Sequence, residues 1–111
     1  MRPNITVEVS RREPWAVVTA RGEIDLATVP DVEQGLAEAI DSGGDVILDL
    51  SEVGFMDSTG LRAILAAEKR LAADGHRLAL VVTDGPVHRL LEVTALESHF
   101  PLFDSVDAIT P

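Results

Sequence analysis

The chain contains no cysteine. That removes thiol catalysis, disulfide bridges and cysteine-based zinc sites together. It has no apolar run near the roughly 20 residues needed to span a bilayer. No apolar signal segment follows Met1-Arg2-Pro3-Asn4. The expectation is a cytoplasmic protein without a membrane partner. Basic residues are scarce: nine Lys and Arg stand against 19 Asp and Glu, a formal net charge of −10. Such a surface repels phosphate backbones, so a direct nucleic-acid partner is not expected. The charge either favours a partner with a basic face or serves solubility alone. Repeats, low-complexity segments and linkers are missing too, so the 111 residues are read as one domain, 1–111. With 46 % apolar residues, that domain buries a core without staples.

What is present is an alternation of elements. Ile5-Thr6-Val7-Glu8-Val9 has the period of a half-buried strand. After a polar break over 11–14, Trp15 to Ala20 reads as its hairpin partner, ended by Gly22-Glu23-Ile24-Asp25. Thr28-Val29-Pro30-Asp31 opens a helix, with Thr28 as cap, Pro30 in the first turn and Asp31 at the positive end. Its apolar stripe is Val32, Leu36, Ala39 and Ile40, and Ser42-Gly43-Gly44 stops it. Val46 to Leu50 is the most apolar strand and is placed centrally. A loop over Ser51–Asp57 leads to a second helix from about Ser58 to Asp74, with Leu61, Ile64, Leu65, Leu71 and Ala72 facing inward and Gly75 ending it. Leu78 to Val82 is a further buried strand. Pro86 opens a third helix with Val87, Leu90 and Leu91 inside, and Pro101-Leu102-Phe103 is a short last strand before a turn at 107–109. The order β-β-α-β-α-β-α-β predicts an α/β fold with a mixed, mainly parallel sheet and an N-terminal hairpin. Partners of such sheets meet the carboxyl ends of the strands, which directs attention to the segments after Ala20 and after Leu50.

The second of these reads Phe55-Met56-Asp57-Ser58-Thr59-Gly60-Leu61. Asp57 or Ser58 at a helix start is explained by capping alone. Two details ask for more. Gly60 falls in the first helical turn, where it costs about 1 kcal/mol relative to Ala, and it lets another backbone approach. Phe55 and Met56 stand in a predicted loop, where they either tuck under the helix or form an adhesive surface.

Asp49-Leu50 followed by Phe55 to Leu61 resembles the signature of the STAS-domain anti-sigma factor antagonists of bacteria. Gly22-Glu23-Ile24-Asp25 with Thr28, and Leu90-Leu91 through Leu96 and Phe100, resemble two further segments of that family in the same order. The resemblance implies a single STAS-like domain and a phosphoswitch. In that family the serine after the aspartate is phosphorylated by the anti-sigma factor, itself a serine kinase. The dephosphorylated protein captures that kinase and frees the sigma factor, and a serine phosphatase resets the cycle. The phosphoacceptor carries over to Ser58. Asp25, Asp57, Thr59 and Gly60 carry over as residues that shape the site and meet the partner. Arg62, four residues after Ser58 on the same helix face, is either a further contact or a solvated charge. The chain departs from the family at Ala95, where glycine is usual after the third helix, and after Asp107, where a final amphipathic helix is usual.

Other chemistries have less support. His76, His88 and His99 fall on different predicted elements with no ligand spacing, so no metal is expected. There is no Gly-x-Ser-x-Gly elbow and no P-loop, so no catalytic turnover and no cofactor are expected. A receiver domain phosphorylated on Asp49 would need an acidic pair after the first strand and a lysine near the last strands. Val7 to Arg11 offers no such pair, and Leu80 to Phe103 no lysine. A non-switching STAS subunit of another assembly, such as a lipid-transport complex, remains the alternative.

Overall fold

The computed structural model describes residues 4–109, so the Met1-Arg2-Pro3 start lies outside the described residues. The elements are β1 (Ile5–Arg12), β2 (Trp15–Ile24), α1 (Val29–Asp41), β3 (Val46–Met56), α2 (Ser58–Ala73), β4 (Leu78–Val81), α3 (Pro86–Val93), β5 (Leu102–Phe103) and a 3-10 turn at Val106–Ala108. They form one five-stranded sheet in the order β1-β2-β3-β4-β5. β1 is antiparallel to β2, and every later neighbour is parallel. This is the mixed sheet with an N-terminal hairpin that the element order implies.

Strand side chains alternate between faces. Val18, Leu48 and Leu80 therefore point to one side, where they meet the apolar stripes of α1, α2 and α3. Val17, Ile47 and Ala79 point to the other, where Ile109 and Val106 of the C-terminal segment cover them. Both faces of β3 and β4 are buried at their cores, which is why these strands are apolar runs.

The structure departs from the sequence reading in the strands' carboxyl halves. β1 continues to Arg12, and β2 continues four residues past Ala20 to Ile24. Residues 51–56, read as loop, belong to β3. Arg21, Gly22, Glu23 and Ile24 pair with Glu52, Val53, Phe55 and Met56, with register shifts between Thr19 and Arg21 and between Gly22 and Glu23. Each shift leaves an extra residue on β3, so Val53 and Met56 are the buried positions and the period of two is lost. Asp49 braces the first irregularity by accepting from Ser51 N at 3.0 Å and Ser51 Oγ at 2.7 Å. The inner face of α2 also sits differently: Ala63 and Ala67 are buried, and Ala72 is exposed.

Both α2 and α3 end in Schellman turns. After α2, His76 N donates to Leu71 O at 2.8 Å and Gly75 N to Ala72 O at 3.1 Å, with Gly75 at φ 77°. After α3, Leu96 N donates to Leu91 O at 2.8 Å and Ala95 N to Glu92 O at 3.0 Å, with Ala95 at φ 59°. A Cβ in that left-handed conformation is unfavourable by about 1 kcal/mol. The departure from glycine at position 95 therefore leaves the turn intact and strains it. Ala95→Gly is expected to stabilise the chain by about 0.5–1 kcal/mol, read as a higher urea midpoint at unchanged slope. An unchanged or lower midpoint would refute the strain.

Candidate functional site

The parallel pairing of Ile24 with Met56 brings the carboxyl ends of β2 and β3 side by side. Asp57 N donates to Ile24 O at 3.2 Å, so Asp25 and Asp57 leave the sheet together. Each carboxylate then organises the backbone that follows it. Asp25 Oδ1 accepts from Ala27 N at 3.0 Å and Thr28 N at 3.1 Å, and its carbonyl accepts from Val29 N at 2.8 Å. Thr28 makes no side-chain cap on α1. Its buried hydroxyl instead donates to Glu23 O at 2.7 Å and accepts from Asp25 N at 2.9 Å, tying the turn back to the strand.

Asp57 is the N-cap of α2. Its Oδ1 accepts from Thr59 N at 2.9 Å and from Thr59 Oγ1 at 2.5 Å. The Thr59 hydroxyl bond, above all, holds the Asp57 carboxyl below its ordinary range; the Thr59 and Gly60 amides and the Arg62 charge act in the same direction against partial desolvation. A lowered carboxyl pKa stabilises the fold above the unfolded value of about 4 and loses that contribution as pH falls through the folded value. Asp57→Ala is expected to cost about 1 kcal/mol at neutral pH. The deficit should shrink as pH falls from about 4 through the lowered folded value, where the wild-type cap becomes protonated. Paired urea titrations at the two pH values check this, and a pH-independent deficit would contradict it.

The two hydroxyls at the helix start thus differ. Thr59 is half-buried and engaged with Asp57. Ser58 is the first residue of α2, is exposed, and has no side-chain hydrogen bond among the described residues. Gly60 is buried one turn in, and its neighbours are side chains, not the backbone expected from sequence. A Cβ there would lie 2.5 Å from Met56 Cγ and 3.0 Å from Ile24 Cγ2. Phe55 and Met56 separate: Met56 packs beneath the helix, and Phe55 is 47 % exposed.

Sequence reasoning missed an apolar surround. Leu26 and Val93 are 76 % and 79 % exposed. Leu26, Val29, Thr59, Arg62 and Ala63 line a groove between α1 and α2. Phe55, Met56, Arg89, Leu90 and Val93 line a second one against α3. Ser58 lies in the chain between the residues that line the two grooves. The histidines sit elsewhere, each beside a carboxylate: His76 with Asp45 at 3.6 Å, His88 with Glu92 at 3.1 Å and His99 with Glu68 at 2.6 Å. Among the described residues, no three metal-ligating side chains come together and no helix is long and apolar enough to cross a membrane.

Comparison with known proteins adds the following. The STAS domain family model matches residues 5–109. An anti-sigma F factor antagonist of Paenibacillus polymyxa is 33 % identical over 110 residues, 96 % of this chain and 94 % of that protein. An anti-sigma-B factor antagonist of Staphylococcus aureus is 30 % identical over 95 residues, 85 % of this chain and 88 % of that protein. The crystal structure of an anti-sigma factor antagonist from Mycobacterium paratuberculosis superposes with a TM-score of 0.84 at 32 % identity, covering 94 % of this chain and 89 % of that one.

Proposed function

Because the chain belongs to the STAS domain family, we propose that it is an anti-sigma factor antagonist switched by phosphorylation of Ser58. The unphosphorylated chain binds an anti-sigma factor that is a serine kinase, and the sigma factor is released. The kinase transfers a phosphoryl group from ATP to Ser58 Oγ, with ADP leaving and the hydroxyl proton lost, and the complex comes apart. A serine phosphatase restores the free hydroxyl. Like its relatives, the chain regulates by binding and carries out no turnover of its own.

The observation that carries this reading is the exposed, unengaged Ser58 hydroxyl at the start of α2, beside the similarly placed but engaged Thr59. A kinase needs an acceptor oxygen it can reach, and only one of these two meets that need without breaking a helix cap. Asp57 sets the helix start, Gly60 lets it seat on Met56, and Asp25 holds the neighbouring loop in register. Thr59 and Arg62 then lie where the partner approaches Ser58. Mass spectrometry of the protein recovered from its native cells tests the assignment. Phosphate is expected on Ser58 in a fraction of molecules that changes with growth condition. Phosphate confined to Thr59, or none under any condition, would overturn it.

A further inference from the structure

A helix start ordinarily offers free amides to an anion. At α2 the amides of Thr59, Gly60 and Leu61 are taken, which leaves that of Ser58 alone. Thr59 N donates to Asp57 Oδ1 at 2.9 Å, and Gly60 N and Leu61 N donate to the Asp57 carbonyl at 3.1 and 3.4 Å. A phosphate on Ser58 would meet, beside that single amide, the negative charge of Asp57 and of Asp25 on the adjoining strand end. It needs a cation from a side chain.

Arg62 is the one placed to supply it. Positions i and i+4 share a helix face, and helical side chains lean toward the N-terminus, so Arg62 lies over the turn that Ser58 begins. It is exposed and forms no ion pair among the described residues. Its charge is already felt at Asp57. Arg21, by contrast, is held between Glu8 and Glu52 at 2.8 Å each. Arg89 lines the other groove, against α3.

We propose that Arg62 holds the phosphate of the phosphorylated chain, its guanidinium turning back one helical turn to pair with the oxygens on residue 58. The inference rests on Ser58 being the phosphoacceptor. The planar fork of arginine matches phosphate oxygens two at a time, which lysine does not. The pairing also withdraws Arg62 from the groove it lines with Leu26, Val29, Thr59 and the carboxylate-bearing Glu33 of α1. Phosphorylation thus changes the partner-facing surface twice, adding negative charge and removing a cation.

The test is a phosphorus NMR titration of the chain with phosphoserine installed at position 58 during translation. A neighbouring cation lowers the second phosphate pKa from its usual value of about 6. Arg62→Gln is expected to raise that pKa by about 0.5 unit or more, roughly a threefold loss of acidity. Arg62→Lys should restore part of the difference, high salt should shrink it, and Arg89→Gln should leave the titration unchanged. An unchanged pKa in Arg62→Gln, or an equal shift in Arg89→Gln, would overturn the proposal. Since no kinase is used, this failure rejects the clamp alone. Absence of phosphate on Ser58 in cells rejects the switch.

Discussion

Ser58→Ala is expected to bind the anti-sigma factor kinase as tightly as the unphosphorylated chain does and to stay bound in the presence of ATP, while the phosphorylated wild type binds at least tenfold more weakly. The reasoning is electrostatic. Phosphoserine carries close to two negative charges at neutral pH. Two unit charges 4 Å apart interact by about 1 kcal/mol in water and about 4 kcal/mol at an effective dielectric of 20. A dianion roughly doubles that, and about 1.4 kcal/mol is already a tenfold change in affinity. Asp57 and Asp25 add to the negative field at the same strand ends. The fold itself has little reason to change, because Ser58 is exposed and its side chain makes no bond that phosphate would break. Ser58→Asp, with one charge, should bind poorly but better than the phosphorylated chain. Thr59→Ala should remain switchable, although it loses the bond to Asp57 that the threonine hydroxyl makes. Calorimetry with the kinase, before and after phosphorylation, decides the matter. Equal affinities for the two forms would refute the mechanism.

Much of this architecture was legible in the residues because a buried strand in an α/β fold announces itself. Val46 to Leu50 and Leu78 to Val81 are apolar on both faces since helices cover one side and Ile109 with Val106 the other. The carboxyl half of β3 was not legible for a physical reason. Its two register shifts break the alternation, and its polar and glycine positions are those of a loop. A strand is recognised there only when Arg21 to Ile24 is available to pair with it. The same limit applies to the site. The resemblance singled out Asp25, Asp57, Ser58, Thr59 and Gly60, and the β2–β3 pairing brings Asp25 and Asp57 together. The exposure of Leu26 and Val93 is not legible in the residues, because an apolar residue in a turn or at a helix end has no local mark of exposure. Whether it is covered depends on which elements pack nearby. The residue type of Thr28 predicts a cap, yet the extension of β2 places Glu23 O 2.7 Å from its hydroxyl, and that bond replaces the cap.

Gly60→Val is expected to be the most damaging single change at the site, destabilising the chain by about 3 kcal/mol. Gly60 lies within α2 and is buried, so it is needed for space. Even one methyl at this position would fall 2.5 Å from Met56 Cγ, 2.7 Å from Met56 Sδ and 3.0 Å from Ile24 Cγ2. Gly60→Ala gains about 1 kcal/mol of helix propensity, which offsets part of the crowding because Met56 is flexible. Valine adds two further methyls and a stiff χ1 against Ile24, which is fully buried and cannot withdraw. The damage should reach the switch as well. Met56 is the last residue of β3 and directly precedes the Asp57 cap, so displacing it moves the start of α2 and with it Ser58. In a chain of 111 residues, the loss corresponds to a fall in Tm on the order of 10 °C. The cause is separable by a double-mutant cycle with Met56→Ala. If Met56 is what the new side chain meets, Gly60→Ala combined with Met56→Ala should be more stable than the sum of the two single effects by about 1 kcal/mol. Additive effects, or a Gly60→Val chain that unfolds at the wild-type urea concentration, would show that α2 does not seat on Met56 in this way.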